Sequence, residues 1–260
     1  MCGSVTFDAK EHIIMNFDRK LAGTDRRLIS PKGLLIKLLN KYYRRSGLEL
    51  MLTSVMHQGQ IMVAFEQQIN FYHLFNEIIH KQVPGEVVEL GCFEGQTAVL
   101  FRKLMNKAGT SMKLMLYDNF QHTLGFSNQN IRDRLIGNFR KENLLLPEII
   151  EGDFYETLPS KLPANIAFLH IDTGYGGDRI QHKEVILHCL KSAYDRMSNG
   201  AVCLLMDYHD PLLTLEGSDS NPGVKMACDE FFKDKPEEVF TLYGGPYSHG
   251  YFIKGFRLPS

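Results

Sequence analysis

The sequence predicts an α/β fold: a doubly wound, mostly parallel sheet with an antiparallel C-terminal strand and an N-terminal helical cap. Short runs rich in branched apolar residues alternate with amphipathic segments, which is typical of a parallel sheet with helices on both faces. Most of these runs stop at an acidic residue. The last two runs are separated by a short connection only, which indicates an antiparallel pair.

Each element follows from its local pattern. Pro84-Gly85 marks the point where helical periodicity ends and the strands begin. Gly109 is expected to end one helix, and Asn199-Gly200 another. We predict helices near 34–43, 61–79, 98–107, 131–143 and 183–197, and strands at 86–90, 113–117, 148–151, 166–171, 201–206, 239–242 and 249–254.

Two segments of the chain differ in character. Residues 1–82 are helical in pattern, and we predict that they form a cap and a dimer contact. Residues 83–260 carry the alternating pattern, and we predict that they form the ligand-binding catalytic domain. An apolar stripe near helical period supports the packing role of the first segment. It consists of Ile61, Phe65, Ile69, Tyr72, Phe75 and Ile79.

A glycine-containing turn follows the first predicted strand and opens a helix. Glu89 lies near the end of the strand, Gly91 and Gly95 follow, and Thr97 precedes the amphipathic segment. Such a turn brings backbone close to a ligand at a helix N-terminus. The spacing differs from the Gly-x-Gly-x-x-Gly dinucleotide fingerprint, and a carboxylate opposes a pyrophosphate. The loop therefore favours a cationic ligand, such as a sulfonium with an ammonium group.

Acidic residues stand near the carboxyl ends of five successive predicted strands. In an open α/β sheet, ligands bind beyond those ends, at the switch in strand order. A single Asp there is more often a cap or turn residue, but five carboxylates predict one shared crevice. They are Glu89, Asp118, Asp153, Asp172 and Asp207.

Composition excludes several classes of protein. The 260 residues carry a formal net charge of -1 and are 44% apolar, which argues against a nucleic-acid-binding surface and fits a folded domain. The five cysteines lack metal-ligand spacing and indicate a reducing compartment. There is neither an apolar run long enough to cross a bilayer nor a signal-peptide core. We therefore expect a cytoplasmic protein without nucleic-acid or membrane partners.

Several stretches carry a resemblance to a known family. They read VPGEVVELGCFEG at 83–95, DNF at 118–120, GDFYETLP at 152–159, ID at 171–172, DY at 207–208 and PGVKMACDEFF at 222–232. In this order they resemble class I S-adenosylmethionine-dependent methyltransferases, and more narrowly the macrocin and mycinamicin O-methyltransferase family. The resemblance implies a Rossmann-like enzyme that methylates a hydroxyl of a small molecule, a sugar or natural-product intermediate. We expect it to be a homodimer.

By this resemblance the cofactor is S-adenosylmethionine. Glu89, Gly91 and Gly95 would hold its methionine portion, and Asp118 would hold the ribose. Asp153 and Phe154 would flank the adenine, for which the aromatic ring supplies a face. The predicted cofactor-binding set is completed by Cys92, Phe93, Thr97, Asn119 and Asp172.

The resemblance also implies Mg²⁺ bound by Asp172 and Asp207, at the ends of the fourth and fifth strands. The chain departs from the family at both sites. It reads Asp-Thr-Gly-Tyr-Gly from Asp172, where the family tends to have Asp-Gly-Asp-Leu-Tyr, and a single Asp207 where the family tends to have a pair. Mg²⁺ prefers about six oxygen ligands and usually keeps waters, so two carboxylates can suffice.

The chemistry of methyl transfer needs a group that removes the proton of the acceptor hydroxyl. We predict Asp172 as the general base, or as a ligand of a Mg²⁺ that lowers the pKa of the hydroxyl. His209 is the alternative base. Tyr175, Tyr208 and the loop at 211–219 are expected to form the acceptor pocket.

Two other functions stay open at this level. A methyltransferase-like protein that has lost catalysis and serves as a binding subunit is one, because the carboxylate pattern is altered. A nicotinamide-dependent oxidoreductase is the other, and the spacing of the first loop and Glu89 disfavour it.

Overall fold

A computed structural model describes residues 31–47, 63–121, 130–174, 177–210, 212, 219, 221–244 and 248–257. The chain divides into two compact units, Met1–Ile61 and Met62–Ser260. In the first unit the described residues form helix α1, Pro31–Arg45. Its Leu35, Leu38 and Tyr42 are exposed and, at this spacing, share one face. No helix in the described part of the chain combines the length and apolar character needed to cross a bilayer.

The second unit alternates strands and helices as predicted. Its strands are β1 Glu86–Leu90, β2 Leu114–Asp118, β3 Glu148–Glu151, β4 Ile166–Ile171, β5 Met197–Leu205, β6 Phe240–Leu242 and β7 His249–Ile253. Its helices are α2 Phe65–His80, α3 Gln96–Ala108, α4 Ile131–Lys141, α5 Phe154–Thr157, α6 Arg179–Ala193 and α7 Gly223–Phe231, with a 3-10 turn at Tyr194–Arg196.

The seven strands form one sheet in the order β3-β2-β1-β4-β5-β7-β6. The pairs among β1 to β5 are parallel, whereas β7 pairs antiparallel with β5 and β6. The predicted fold class is therefore confirmed, including the antiparallel C-terminal strand. Because β2 and β4 lie on opposite sides of β1, the strand order reverses between β1 and β4. Ligands of open α/β sheets bind beyond such a switch.

One pair of turn residues was interpreted wrongly. Asn199-Gly200 was predicted to end a helix, but α6 ends earlier and both residues lie inside β5. Gly200 has φ +83 and donates its backbone N–H to the carbonyl of Lys254 at 2.8 Å. The positive φ of Gly200 thus accommodates an irregularity in β5, where the register with β4 shifts. By contrast, Gly109 ends α3 with φ +63, as predicted.

Helix α2 differs from its prediction in the face that it buries. Tyr72 and Phe75 are buried as expected, but Ile69 and Ile79 are only half-buried, while Phe71 and Ile78 are fully buried. Ile61 and the side chain of Phe65 lie outside the described residues. The helix packs on a sheet, and such packing buries a wider arc of side chains than the narrow stripe that was predicted.

Helix α2 lies before the predicted domain boundary but inside the second compact unit. The predicted division lies between residues 82 and 83, whereas the compact units divide between Ile61 and Met62. Helix α2 packs on β4, β5 and α3, within the second unit. The ring of Phe71 lies 6.0 Å from that of Phe101 and 5.6 Å from that of His170. The roles of the first segment as cap and dimer contact stay predictions.

We expect Phe71→Ala to lower the free energy of unfolding by about 3–5 kcal/mol, because it removes a fully buried ring from the core. Ile69→Ala, on the half-buried side of the same helix, should lower it by about 1 kcal/mol. Urea denaturation of both variants measures the difference. Equal losses would contradict the observed orientation of α2.

Candidate active site

A crevice lies beyond the carboxyl ends of β1 and β4, where the strand order reverses. Its lining comes from the loops after β1, β2, β3 and β4, from α6, and from the segment before α2. The lining residues are Val63, Glu89, Gly91, Cys92, Phe93, Glu94, Gln96, Thr97, Asp118, Asn119, Gly152, Asp153, Phe154, Tyr155, Asp172, Thr173, Gly174 and Val185. Every predicted cofactor-binding residue except Gly95 is among them, which places the predicted set in one crevice.

The loop after β1 lies directly against the end of β4. The N–H of Asp172 donates to the carbonyl of Leu90 at 2.9 Å, and the N–H of Gly91 donates to the carbonyl of Tyr117 at 2.8 Å. Gly91 has φ +84, and a Cβ at this position would collide with the carbonyl oxygen of Asp172. A glycine is therefore required for both the backbone conformation and the close approach.

Gly95 has a different reason to be glycine. It precedes α3 with φ +75, and a Cβ there would lie 2.7 Å from Cγ of Leu135 on α4. It therefore shapes the loop from behind the crevice. Helix α3 begins at Gln96 without a side-chain cap from Gly95, and Gln96 and Thr97 line the crevice. The N-terminus of a helix favours negatively charged ligand groups.

Asp118 holds the shape of this loop. Its Oδ2 accepts hydrogen bonds from the N–H groups of Cys92 and Phe93, both at 2.9 Å, and its Oδ1 accepts from that of Phe120 at 2.8 Å. Phe93 and Phe120 have positive φ angles, +44 and +54, which the hydrogen bonds to one carboxylate stabilise. Asp118 was predicted to hold a ribose; its hydrogen bonds give it a structural role as well.

Glu89 is buried at the floor of the crevice, with 1% of its surface exposed. Its Oε1 lies 2.9 Å from Nδ1 of His170, which is fully buried on β4. Its Oε2 has no hydrogen-bond partner among the described residues. Burial, and then the charge of Asp118, raise the pKa of Glu89 well above its usual value.

Asp172 is half-buried and lies among other carboxylates. Burial raises its pKa to about 7, and the charges of Asp207, Glu89 and Asp118 act in the same direction, while His170 opposes them. A carboxyl group with a pKa near neutrality can exchange a proton at physiological pH. Perturbed pKa values of this kind concentrate at functional sites.

Aromatic side chains border the crevice at the end of β3. Asp153 caps α5, accepting a hydrogen bond from the N–H of Tyr155 at 2.8 Å. Phe154 and Tyr155 line the crevice. The ring of Tyr155 is 57% exposed and lies 4.4 Å from that of His188, at an angle of 30°. This side of the crevice therefore offers apolar faces to a planar ligand group.

Two predicted residues lie outside this lining. Asp207 follows β5 with φ +58, and its Oδ2 accepts a hydrogen bond from Nδ2 of Asn221 at 2.6 Å. His209 is buried, with its Nδ1 3.0 Å from the hydroxyl of Ser248. That hydroxyl donates to the carbonyl of Tyr208 at 2.9 Å. It must therefore accept from the imidazole, so the neutral ring carries its proton on Nδ1.

The structure describes both predicted metal ligands but little of the predicted acceptor pocket. Within the described ranges, no group of three or more His, Cys, Asp or Glu side chains is placed to hold a metal ion. The one interaction between the two predicted ligands that the described residues show is electrostatic: the charge of Asp207 raises the pKa of Asp172. Tyr175 and all of the loop at 211–219 except residues 212 and 219 lie outside the described residues. Tyr208 is buried.

Known proteins are similar to this chain in sequence and in fold. Residues 88–208, a little under half of the chain, match the family model described as "Methyltransferase domain". This part of the chain is therefore similar to methyltransferase domains. The matched segment runs from β1 to just beyond β5 and contains the carboxylates at the strand ends. No curated protein matches the sequence.

Several solved structures share the fold of this chain. The O-methyltransferase NovP has 21% identity and a TM-score of 0.60, with 76% of this chain and 83% of that chain covered. CalS11, a TDP-rhamnose 3'-O-methyltransferase of calicheamicin biosynthesis, has 17% identity and a TM-score of 0.53, with 97% of each chain covered. The methyltransferase PaMTH1 of Podospora anserina, bound to S-adenosylhomocysteine (SAH), has 11% identity and a TM-score of 0.53, with 98% and 100% covered. The recognition of a class I methyltransferase from the sequence is confirmed.

Some residues of the methyltransferase site were not predicted. His170 lies in an apolar run, and a histidine at a buried strand position was the available signal. Tyr155 follows Phe154 in the stretch at 152–159, which carried the family resemblance but gave this tyrosine no predicted role. Asn221 reaches Asp207 across 14 positions of sequence, and no local pattern indicated this contact.

We expect Asp172→Asn to stabilise the folded protein at high pH. The pKa of Asp172 is about 7 in the folded state against 3.8 for an ordinary Asp, so the folded state binds more protons between these values. Stability is therefore lost as pH rises through this window. Relative to the wild type, the variant should gain about 2 kcal/mol between about pH 5 and about pH 8.

Urea denaturation at the two pH values measures this gain. Asp178→Asn is the control, because Asp178 caps α6 from an exposed position outside the crevice. A pH-independent difference between Asp172→Asn and the wild type would show that the carboxyl group ionises normally.

Proposed function

We propose that the protein is an S-adenosylmethionine-dependent O-methyltransferase that acts on a hydroxyl of a small molecule, a sugar or natural-product intermediate. One observation carries the proposal. Five carboxylates line the crevice, and no Lys, Arg or His is among its described lining residues. Arg134, outside the lining, pairs with one of them, Glu94, at 2.8 Å. The carboxylates are Glu89, Glu94, Asp118, Asp153 and Asp172. Such a surface favours a cationic ligand and opposes a pyrophosphate.

The residues of the crevice fit the cofactor. Oε2 of Glu89 is buried without a partner among the described residues, and an ammonium group of the cofactor would satisfy it. The N-terminus of α3 would accept the carboxylate of the methionine portion. Asp118 would contact the ribose through its remaining acceptor capacity. Phe154 and Tyr155 would flank the adenine.

Asp172 is the proposed general base. When bound, S-adenosylmethionine supplies an electrophilic methyl group on its sulfonium. The pKa of the Asp172 carboxyl, about 7, allows it to take the proton of an acceptor hydroxyl near neutral pH. A cation in the crevice would favour the ionised carboxylate, because it offsets the neighbouring negative charges. His209 is the alternative base, since its Nε2 carries the lone pair when Nδ1 is protonated.

Mg²⁺ assistance is a finer part of the proposal. Asp172 and Asp207 would be the ligands, because carboxylate oxygens suit a hard cation. Burial raises the pKa of Asp207, and the charge of Asp219 raises it further, whereas the hydrogen bond from Asn221 lowers it. A divalent cation would stabilise the ionised form of both carboxylates. Its chemistry would be to polarise the acceptor hydroxyl.

The choice of an oxygen acceptor rests on similarity of fold. NovP is an O-methyltransferase, and CalS11 methylates a sugar of a natural product by its description. CalS11 matches this chain over 97% of its length, so the similarity extends beyond the cofactor half of the fold. Proteins of one fold act on many different acceptors, so turnover should be measured with a range of hydroxylated compounds.

A catalytically inactive binding subunit is the second candidate. The hydrogen bond from Asn221 to Asp207 favours this candidate. The side-chain amide of Asn221 already occupies one carboxylate oxygen of Asp207, a proposed metal ligand, at 2.6 Å. In that case the crevice would bind the cofactor without transferring its methyl group. Binding and turnover must therefore be measured separately.

We expect the wild type to bind SAH in calorimetric titration, and Glu89→Gln to weaken binding by about 10-fold or more, because a neutral amide loses the charge-assisted contact to the ammonium. Glu86→Gln is the matched control at the opposite end of β1, and it should change the affinity by less than about 2-fold. Binding of NAD without binding of SAH would overturn the proposal.

We expect turnover of S-adenosylmethionine with a hydroxylated sugar or glycoside, and Asp172→Asn should lower kcat by about 100-fold or more. Methyl transfer is followed by mass spectrometry across a panel of acceptors. Chelation should lower turnover and Mg²⁺ should restore it if the cation assists. Unchanged turnover in Asp172→Asn would remove this residue from the chemistry, and SAH binding without any turnover would favour the inactive subunit.

A further inference from the structure

A buried polar pair lies beneath the crevice. Glu89 on β1 and His170 on β4 are register partners on adjacent parallel strands. Oε1 of Glu89 and Nδ1 of His170 are 2.9 Å apart, and the two residues are 1% and 0% exposed. Strand pairing fixes both backbones, so the imidazole reaches the carboxyl group from a rigid position.

The two carboxylate oxygens of Glu89 have different surroundings: one contacts His170 in the core, and the other is available to the crevice. When Glu89 is ionised it can only accept hydrogen bonds, so the proton of the neutral imidazole must lie on Nδ1. This contact occupies Oε1 and turns the carboxyl plane. Oε2 is then left without a partner among the described residues, in a side chain that lines the crevice.

We propose that His170 is a positioning residue for cofactor recognition: its Nδ1–H fixes the Glu89 carboxylate so that Oε2 receives the ammonium group of the cofactor. This inference rests on the proposed function and deepens it. The chemical feature that His170 selects, through Glu89, is the amino-acid portion of the ligand. The nucleoside portion contacts other residues of the crevice.

The surroundings of His170 argue against a role in packing alone. Its ring lies 5.6 Å from that of Phe71 and 5.4 Å from that of Phe101, at angles typical of aromatic packing. A phenylalanine would make the same contacts without the desolvation of an imidazole. The imidazole instead places its Nδ1 at 2.9 Å from Oε1 of Glu89, a polar contact that packing alone does not require.

Two substitutions distinguish the contribution of the Nδ1–H donor of His170 from that of its aromatic ring. His170→Phe keeps an aromatic ring between Phe71 and Phe101 but removes the N–H. His170→Asn removes the ring but places an amide N–H near the position of Nδ1. A packing role predicts that the phenylalanine is tolerated and the asparagine is not. A positioning role predicts the reverse.

Two ligands separate recognition of the ammonium group from general damage to the crevice. SAH carries the amino-acid portion, whereas 5′-methylthioadenosine has the same nucleoside and a neutral sulfur but no ammonium. For His170→Phe we expect the affinity for SAH to fall by about 10- to 100-fold, as for loss of a hydrogen bond to a charged group. The affinity for 5′-methylthioadenosine should change by less than about 3-fold. His170→Asn should keep the affinity for SAH within about 5-fold of the wild type.

His249 provides a matched control. It is also fully buried, its ring lies 5.5 Å from that of Phe71, and its Nε2 contacts Nδ2 of Asn70 at 3.1 Å rather than Glu89. His249→Phe should therefore leave the ratio of the two affinities unchanged. If His170→Phe does not fold, as judged by circular dichroism, His170→Gln replaces it, because its amide reaches toward Nε2 and not Nδ1.

The outcomes are distinct. Selective loss of SAH binding in His170→Phe, with retention in His170→Asn, supports the inference. An unchanged affinity for SAH in His170→Phe, or equal losses for both ligands, overturns it while the proposed function stands. If the wild-type protein binds neither ligand, the proposed function itself fails.

Discussion

The architecture of the crevice depends on the close approach of β1 and β4 at their carboxyl ends. The hydrogen bond from Asp172 N–H to the carbonyl of Leu90 joins the two strand ends at 2.9 Å. Gly91 makes this approach possible, because any side chain there would collide with the Asp172 carbonyl. The loop after β1 is consequently held against the end of β4, and the carboxylates of both strands face one space. The other features of the site follow from this contact.

This arrangement concentrates negative charge where the protein offers it little compensation. Backbone N–H groups hold the carboxylates of Asp118 and Asp153, and Arg134 lies 2.8 Å from the carboxylate of Glu94. Glu89 and Asp172 are the carboxylates with little compensation. Burial raises the pKa of both Glu89 and Asp172, so ionisation of these two groups at high pH destabilises the folded state. Such a site gains most from a cationic ligand. The proposed sulfonium cofactor is a ligand of this kind.

Much of the fold could be predicted because it depends on local pattern. The parallel strands, the C-terminal antiparallel pair and the C-cap at Gly109 all follow from periodicity and turn chemistry. The errors arose where tertiary contacts override local signals. Asn199-Gly200 is a helix stop by composition, yet pairing with β4 and β7 keeps it within a strand. The buried face of α2 and the domain boundary depend on where that helix packs, which its sequence does not encode alone.

The sequence by itself determined that Glu89, Asp118, Asp153 and Asp172 reach the crevice, since a carboxylate near the end of a parallel strand lies at the same edge of the sheet as its counterparts. Only the tertiary structure decided how those groups are paired. Glu89 meets His170 across 81 positions of sequence and Asp207 meets Asn221 across 14. The physical reason is that strand position follows from local chain geometry, whereas the partner of a side chain depends on strand order, register and loop path.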